Sequence, residues 1–230
     1  IASNFGMIGL GTDTGNSIRG PSSHNALVGF RTTLGLVSRE GIVPLYLRND
    51  VVGPMCRTVE DATKVLEAIA GADPKDPITN FSKEKIPENY GQFLQKDGLK
   101  GARIGVFRTL SEKDTDPEIS TLFNQSLKDM ASLGAVIIDS VEVAGFDSLR
   151  RNQWCPVFRQ DIEQFLVDYV KRDTMKAIAD IIRVRTKSEY AKNGLESFRE
   201  SQLPTNMNQE CGDPFTDLKR IAFREAIEKV

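Results

Sequence analysis

The sequence predicts an α/β protein, and three observations support this class. Residues 103–107 and 135–143 have the character of strands, and the stretch between them has the periodicity of a helix. An apolar run over residues 5–10 predicts a further strand, and the pattern beyond Phe146 is mainly helical. With 230 residues and 40% hydrophobic content, the chain can bury a sizeable core. We favour a single domain.

The first predicted element is a buried strand over residues 5–10, which ends in a turn rich in small residues. Ser17, Ile18 and Arg19, with Pro21, can open a helix, and residues 21–27 have the pattern of a short one. Residues 29–54 are broken by several glycines and prolines. We expect loops there, and loops of this kind line sites rather than cores.

A helix is predicted between Thr58 and Gly71. Thr58 can cap its first turn, with Asp61 three positions later. Apolar residues then recur on one face, at Val59, Ala62, Val65, Leu66 and Ile69. Three prolines and many polar residues between positions 72 and 100 indicate a surface excursion.

A strand–helix–strand unit follows. Asp116 and Pro117 are typical of an N-cap and a first helical position, and Gly134 is typical of a helix end. The strands should be parallel with a right-handed crossover. The expected buried stripe of this helix is Ile119, Leu122, Phe123, Leu127, Met130 and Leu133. Further helices are expected near 157–169, 175–184, 195–200 and 214–230, the first with Val157, Phe158, Ile162, Phe165, Leu166 and Tyr169 on one face.

Composition excludes several kinds of partner. A net charge of -2, from 30 basic and 32 acidic residues, provides no field for nucleic acid or an anionic membrane, so a small neutral substrate suits the chain better. Cys56, Cys155 and Cys211 form no CxxC pair and lie far apart. We therefore expect neither a disulfide framework nor a zinc site, and reduced thiols in a cytoplasmic protein.

No apolar run is long enough to span a bilayer, and no signal-peptide pattern is present. The chain opens at Ile1 and closes at Val230 within a helix-like pattern. We expect truncation at both ends, so that a targeting signal could lie outside the sequence.

The candidate catalytic residue is Ser17, which stands in the small-residue turn after the first strand. Backbone N–H groups of such a turn can converge beside the hydroxyl as an oxyanion hole. The alternative is a strand-to-helix turn without chemistry. A serine needs a base, but His24, the single histidine, lies about two helical turns away, roughly 10 Å at the usual rise. We expect His24 at the surface or in packing.

Two other motifs fail on particular residues. A phosphate-binding loop needs a lysine that this turn lacks, and its glycine spacing differs. The α/β-hydrolase elbow needs glycine two residues after the serine, where this chain has Arg19.

Three segments together resemble the amidase signature family: residues 11–21 (GTDTGNSIRGP), 32–39 (TTLGLVSR) and 50–57 (DVVGPMCR). The match runs from about Phe5 to Gly71. It implies a single α/β domain with a mixed central sheet covered by helices, here truncated at both ends. Residues 1–71 would be the signature core, 72–145 the surface excursion and the strand–helix–strand unit, and 146–230 a mainly helical cover, in which residues 154–169 contribute to specificity.

The resemblance also implies roles. Ser17 would attack the substrate carbonyl, and the N–H groups of Thr14, Gly15, Asn16 and Ser17 would form the oxyanion hole. In the family a second serine, held by a cis peptide, relays the proton to a lysine. Both lie upstream of the nucleophile by more residues than precede Ser17, so this chain does not contain them. Asn16 stands where the family usually has glycine, and its side chain could crowd the acyl pocket.

Three charged residues are expected to support the turn. Asp13 and Arg19, six positions apart, can form an ion pair that holds its shape. Asp50 is expected to tie the segment 50–57 to the turn, the alternative being an exposed loop carboxylate. The family needs no metal and no organic cofactor.

The resulting hypothesis is an amidohydrolase that cleaves a carboxylic amide through an acyl-serine on Ser17. One alternative is the A-type subunit of a glutamine-dependent aminoacyl-tRNA amidotransferase. The others are an amidase-like acyltransferase and a non-catalytic binding protein. The expected partner is a small amide substrate, without direct contact to nucleic acid or membrane, and a homodimer is one option.

Overall fold

The computed structural model describes residues 1–110, 115–151, 153, 155–183, 188–197 and 211–230. It divides into two compact units, unit 1 with Ile1–Gly91 and Cys155–Cys211, and unit 2 with Gln92–Trp154 and Gly212–Val230. Each unit contains strands and helices, so the predicted α/β class is confirmed. The single domain stays a prediction.

The predicted helices and the predicted strand–helix–strand unit are present, together with two strands within residues 28–56 that the sequence did not predict. The strands are β1 (Gly9–Asp13), β2 (Val28–Gly29), β3 (Val51–Cys56), β4 (Arg103–Val106) and β5 (Val136–Asp139). The helices are α1 (Arg19–His24), α2 (Val59–Ile69), α3 (Pro117–Ser132), α4 (Phe146–Arg151), α5 (Phe158–Phe165), α6 (Ile178–Arg183), α7 (Glu189–Ser197) and α8 (Leu218–Glu228). Short 3₁₀ turns occupy Pro77–Ser82, Tyr90–Phe93 and Arg108–Leu110, and a π-helical turn, Leu166–Val170, extends α5.

Strand β3 is the centre of the sheet in unit 1, with β1 and β2 antiparallel on either side. The expectation of loops throughout residues 29–54 is wrong here, because β3 is almost completely buried. Pro54 fits into this strand because β2 is short. The carbonyl of Pro54 accepts the N–H of Phe30 at 2.9 Å. Gly53 permits this approach, since a Cβ there would overlap the carbonyl oxygen of Phe30.

Strand β1 differs from its prediction in position and in burial. It begins at Gly9 rather than Phe5. The apolar side chains expected inside are exposed, with Phe5 at 97% and Leu10 at 56% of their full accessibility. The strand lies at the edge of the sheet, and its one fully buried side chain is the carboxylate of Asp13.

Helix α2 confirms its sequence signals. The Thr58 side chain accepts the N–H of Asp61 at 3.0 Å, as an N-cap does. Ala62, Val65 and Leu66 are buried, and they pack with β3 residues in two apolar clusters. Val59 is the exception in the expected stripe, because it is exposed at the first turn.

In unit 2, β4 and β5 pair in parallel, as predicted, with α3 between them in the chain. The Asp116 side chain caps α3, Pro117 is its first residue, and Gly134 follows its end at a φ of +95°. The expected stripe is mostly wrong, since only Leu127 is buried. The exposed members are Ile119, Leu122, Phe123 and Leu133.

Helix α5 uses most of its predicted face. Phe158, Ile162 and Ile178 form an apolar cluster, and Val157 and Leu166 are also buried, whereas Tyr169 is exposed. The predicted helices nearby are observed as α6, α7 and α8, with later starts for α6 and α8 and an earlier start for α7. Trp154, Val184 and residues 198–200 lie outside the described residues.

The cysteines correct a further expectation. Cys155 and Cys211 form a disulfide with a sequence separation of 56, whereas Cys56 is free and buried. The expectation of reduced thiols is therefore wrong for this pair. Spacing could not reveal it, because the fold brings the two positions within 6.2 Å at Cα. Disulfides persist in oxidising compartments. The cytoplasmic location stays a prediction, and the disulfide weighs against it.

Within the described part of the chain, none of the helices has the length and apolar character needed to cross a bilayer.

We expect peptide mapping without reduction to recover Cys155 and Cys211 as one linked pair, with Cys56 alkylated after unfolding. Cross-linking a loop of this length raises the free energy of the unfolded state by about 4 kcal/mol, because it restricts the conformations of the unfolded chain. Cys211→Ser should therefore lower the thermal midpoint of the oxidised protein and leave that of the dithiothreitol-treated protein unchanged. Alkylation of Cys155 and Cys211 in oxidised protein, without prior reduction, would contradict the pairing.

Candidate active site

The turn that carries Ser17 is organised around the buried carboxylate of Asp13, which is 0% exposed. One of its oxygens accepts the backbone N–H groups of Ile18 at 3.1 Å and Arg19 at 3.4 Å. These N–H groups open α1 and have no partner inside the helix, so the carboxylate satisfies donors that the helix leaves unpaired. Asp13 thus joins the end of β1 to the start of α1.

Two guanidinium groups neutralise Asp13. The side chain of Arg19 contacts both carboxylate oxygens, at 3.1 and 3.3 Å, and also donates to the carbonyl of Gly15. Arg31 also contacts one of these oxygens, at 3.3 Å. Burial raises the pKa of Asp13, but the hydrogen bonds from Arg19 and the N–H of Ile18 outweigh it and hold the pKa below the ordinary 3.8. Asp13 is therefore ionised at neutral pH.

Asp50 contacts the same turn at Thr14. The Thr14 hydroxyl donates to one Asp50 oxygen at 2.5 Å, and the other oxygen accepts the N–H groups of Leu45 and Tyr46, both at 2.8 Å. The strand register explains the meeting, because Asp13 pairs with Val51 and the next antiparallel pair is Thr14 with Asp50. Asp50 is buried, so the alternative of an exposed loop carboxylate is wrong.

The backbone N–H groups of residues 14–17 lie between Asp13 and Asp50 in the turn. Within the described residues, none of the N–H groups of Thr14, Gly15, Asn16 and Ser17 donates to another group of the chain. The Ser17 side chain is exposed at the surface of unit 1. The arrangement offers a hydroxyl and a set of N–H donors to a solvent-side ligand. Their catalytic roles stay predictions.

Asn16 fits the turn because the backbone there does not need the left-handed conformation that favours glycine. Neither Gly15 nor Asn16 adopts a positive φ. The Asn16 carboxamide lies over Gly20, where an added Cβ would come within 2.5 Å of its nitrogen, and the Asn16 carbonyl accepts the Gly20 N–H at 2.8 Å. The side chain therefore lies against α1.

His24 is exposed at the end of α1, as expected for a surface histidine. Sequence reasoning missed Arg31 and the N–H groups of Leu45 and Tyr46, because all three reach the turn through tertiary contacts that no local motif signals. Among the described residues, no group of three or more His, Cys, Asp or Glu side chains could hold a metal ion.

Because Asp13 holds two guanidinium groups and two N–H groups, we expect Asp13→Asn to lower the free energy of unfolding at pH 7 by about 2–3 kcal/mol. This decrease is smaller than that expected for breaking a fully buried ion pair, since the Arg19 side chain is 49% exposed. The lowered pKa means that this contribution is present above pH 4 and is lost as the pH falls through the folded-state pKa. Urea denaturation at pH 7 and below pH 4 measures it.

The matched control is Asp97→Asn, which changes an exposed carboxylate. It should alter the free energy of unfolding by less than about 0.5 kcal/mol. Equal effects of the two substitutions at pH 7 would count against the central place of Asp13.

The family model Amidase matches residues 1–227. A probable amidase of Arabidopsis thaliana is 34% identical over 242 residues, a match that covers 100% of this chain and 45% of the relative. The A subunit of the glutamyl-tRNA(Gln) amidotransferase of Microcystis aeruginosa is 43% identical over 137 residues, which covers 60% of this chain and 28% of the relative.

Among solved structures, the peptide amidase of Stenotrophomonas maltophilia superposes with a TM-score of 0.74 at 28% identity, over 98% of this chain and 45% of that one. The chain thus spans less than half the length of these relatives. The family model matches nearly the whole chain, and both sequence and fold agree with it; the chain belongs to the amidase family.

Proposed function

We propose that the full-length protein, of which this chain is a part, is an amidohydrolase that uses Ser17 as its nucleophile. The observation that carries the proposal is the turn itself, in which an exposed serine follows N–H groups that donate to no other group among the described residues. Such donors stabilise an oxyanion best when they are fixed in advance. Asp13 and Asp50 supply that rigidity from two sides of the turn.

In the proposed reaction, the Ser17 oxygen attacks the amide carbonyl carbon, and its proton passes to a base. The carbonyl oxygen becomes an oxyanion that faces the N–H groups of residues 14–17. The C–N bond then breaks, the amine or ammonia leaves with a proton, and an ester remains on Ser17. Water attacks this ester and releases the carboxylic acid and the free hydroxyl. The family resemblance implies a lysine and a relay serine as the base system, in a part of the protein outside this chain.

A second candidate is the A-type subunit of an amidotransferase, which would liberate ammonia from glutamine for the transamidation of misacylated tRNA. The 43% identity to the Microcystis aeruginosa amidotransferase favours it. In that case we expect the protein to work with partner subunits that handle the tRNA. The net charge of -2 does not suggest direct binding of nucleic acid. Glutaminase activity, with copurifying subunits, distinguishes this candidate from a simple amidase.

An acyltransferase would share the acyl-serine and differ only in the acceptor that takes the acyl group, and a hydroxylamine trap measures that difference. A binding protein without catalysis would leave the serine unreactive.

We propose a small amide as substrate and no cofactor. The homodimer is open to measurement by light scattering.

We expect a fluorophosphonate probe to label the full-length protein on Ser17, and Ser17→Ala to abolish both labelling and ammonia release from a C-terminally amidated peptide. In a serine protease, loss of the nucleophile lowers kcat by a factor of about 10⁶. The matched control is Ser23→Ala, an exposed serine of α1 whose hydroxyl donates to the Gly20 carbonyl. It should retain labelling and activity.

Intact mass and peptide mapping locate the adduct. Labelling of another serine, or undiminished hydrolysis by Ser17→Ala, would reject the proposed nucleophile. An unlabelled wild-type protein that still binds amides would favour the binding-protein alternative.

A further inference from the structure

The segment that holds Asp50 is a small structure of its own, which we name the brace (residues 45–50). Tyr46 is its centre and is only 2% exposed. Its N–H donates to Asp50, and its carbonyl accepts the N–H groups of Asn49 and Asp50, both at 2.8 Å. The position of the Asp50 carboxylate, and with it the bond to Thr14, therefore depends on the conformation of the brace.

A distant part of the sequence holds the brace at two successive residues. We name residues 155–166 the α5 arm. The N–H of Cys155 donates to the Tyr46 hydroxyl at 3.1 Å, and Asp161 accepts the N–H of Leu47 at 3.4 Å. Both contacts lie within unit 1.

Leu47 is also held at its carbonyl group. Its carbonyl accepts a hydrogen bond from Arg39, whose guanidinium pairs with Asp76 at 2.7 and 2.9 Å. The backbone of Leu47 thus lies between a fixed cation and the carboxylate of Asp161. Protonation or removal of Asp161 changes the contact at the Leu47 N–H, and it also changes the electrostatic interaction between Asp161 and Arg39.

Asp161 lies at a half-buried cavity of about 250 Å³, in which its charge is unfavourable. Burial, aided by the charge of Asp50, raises its pKa to about 6, against the opposing effects of the Leu47 N–H and Arg39. Besides Arg39, the other titratable groups that line this cavity are Glu40, Lys75, Asp76, Asp168 and Tyr169. Carboxylates with a raised pKa are common at functional sites. Asp161 has such a pKa and contacts the brace, which in turn contacts the turn of Ser17.

We propose that Asp161 is a positioning residue, whose carboxylate fixes the brace through the N–H of Leu47 and so holds the turn of Ser17 in its reactive geometry. The proposal rests on the proposed role of Ser17. The α5 arm belongs to the predicted cover region. In this proposal it helps to fix the conformation of the turn of Ser17.

The sign of the pH effect separates positioning from plain stability. The folded-state pKa of Asp161 lies above the ordinary 3.8, so its contribution to stability is fully present below about pH 4 and is lost as the pH rises through 6. The ionised carboxylate is, however, the better acceptor for the Leu47 N–H. As the pH rises through 6, Asp161 should therefore contribute less to the stability of the fold, while the reactivity of Ser17 should increase.

The test uses Asp161→Asn in the full-length protein, with Asp168→Asn as the matched control. Asp168 lines the same cavity and accepts a hydrogen bond from Gln164 rather than from the brace. The readouts are the rate of fluorophosphonate labelling at Ser17 from pH 5 to 8, the kcat and KM for ammonia release from an amidated peptide, and the thermal midpoint.

At pH 7.5 we expect Asp161→Asn to label about tenfold more slowly, a smaller effect than the ~100-fold loss for a 1 Å misplacement. The difference from wild type should vanish near pH 5, kcat should fall with KM unchanged, and the thermal midpoint at pH 7.5 should be equal or higher. Asp168→Asn should follow wild type, and Asp161→Glu should restore part of the rate.

Wild-type labelling by Asp161→Asn at pH 7.5 overturns the proposal. So does a lower thermal midpoint or a failure to fold, because Asp161 would then be structural. If Ser17→Ala keeps full hydrolysis, the proposed function fails, and the inference fails with it. If Ser17→Ala is inactive while Asp161→Asn behaves as wild type, the inference alone fails.

Discussion

The candidate site depends first on the burial of one carboxylate, Asp13, at the end of an edge strand. A buried charge is costly unless it is paired and hydrogen-bonded. Here two N–H groups and the side chains of Arg19 and Arg31 supply the pairing. The chain turns after β1 and starts α1 at Arg19, which brings the two N–H groups to the carboxylate. The exposed position of Ser17 follows from that geometry.

The second constraint is strand pairing. The antiparallel register of β1 with β3 places Thr14 opposite Asp50, although the two are 36 positions apart. Asp50 in turn needs the N–H groups of the brace, and the brace needs the α5 arm. The turn is therefore local in sequence, but the chain of contacts that supports it includes three separate parts of unit 1. This organisation is typical of sites that need preorganised donors.

The errors of prediction have a common physical origin. Periodicity indicates which face of an element is apolar, but it does not tell what covers that face. Phe5 and Leu10 of the first run, and Ile119 and Leu122 of α3, have the pattern of a core and yet are exposed. The opposite error occurred at β3, where Gly53 and Pro54 suggested a loop. Backbone contact with Phe30 makes that sequence suitable for a central strand.

The sequence by itself determined the α/β class, the capped helices α2 and α3, the parallel pair β4 and β5, and the turn of Ser17 with its resemblance to amidases. These depend on caps, glycines and periodicities that act within a few residues. Only the tertiary structure decided that Arg31 joins Arg19 at Asp13, that Cys155 bonds with Cys211, and that Asp161 holds Leu47. Such contacts join positions that are distant along the chain, and the fold alone brings them within bonding distance.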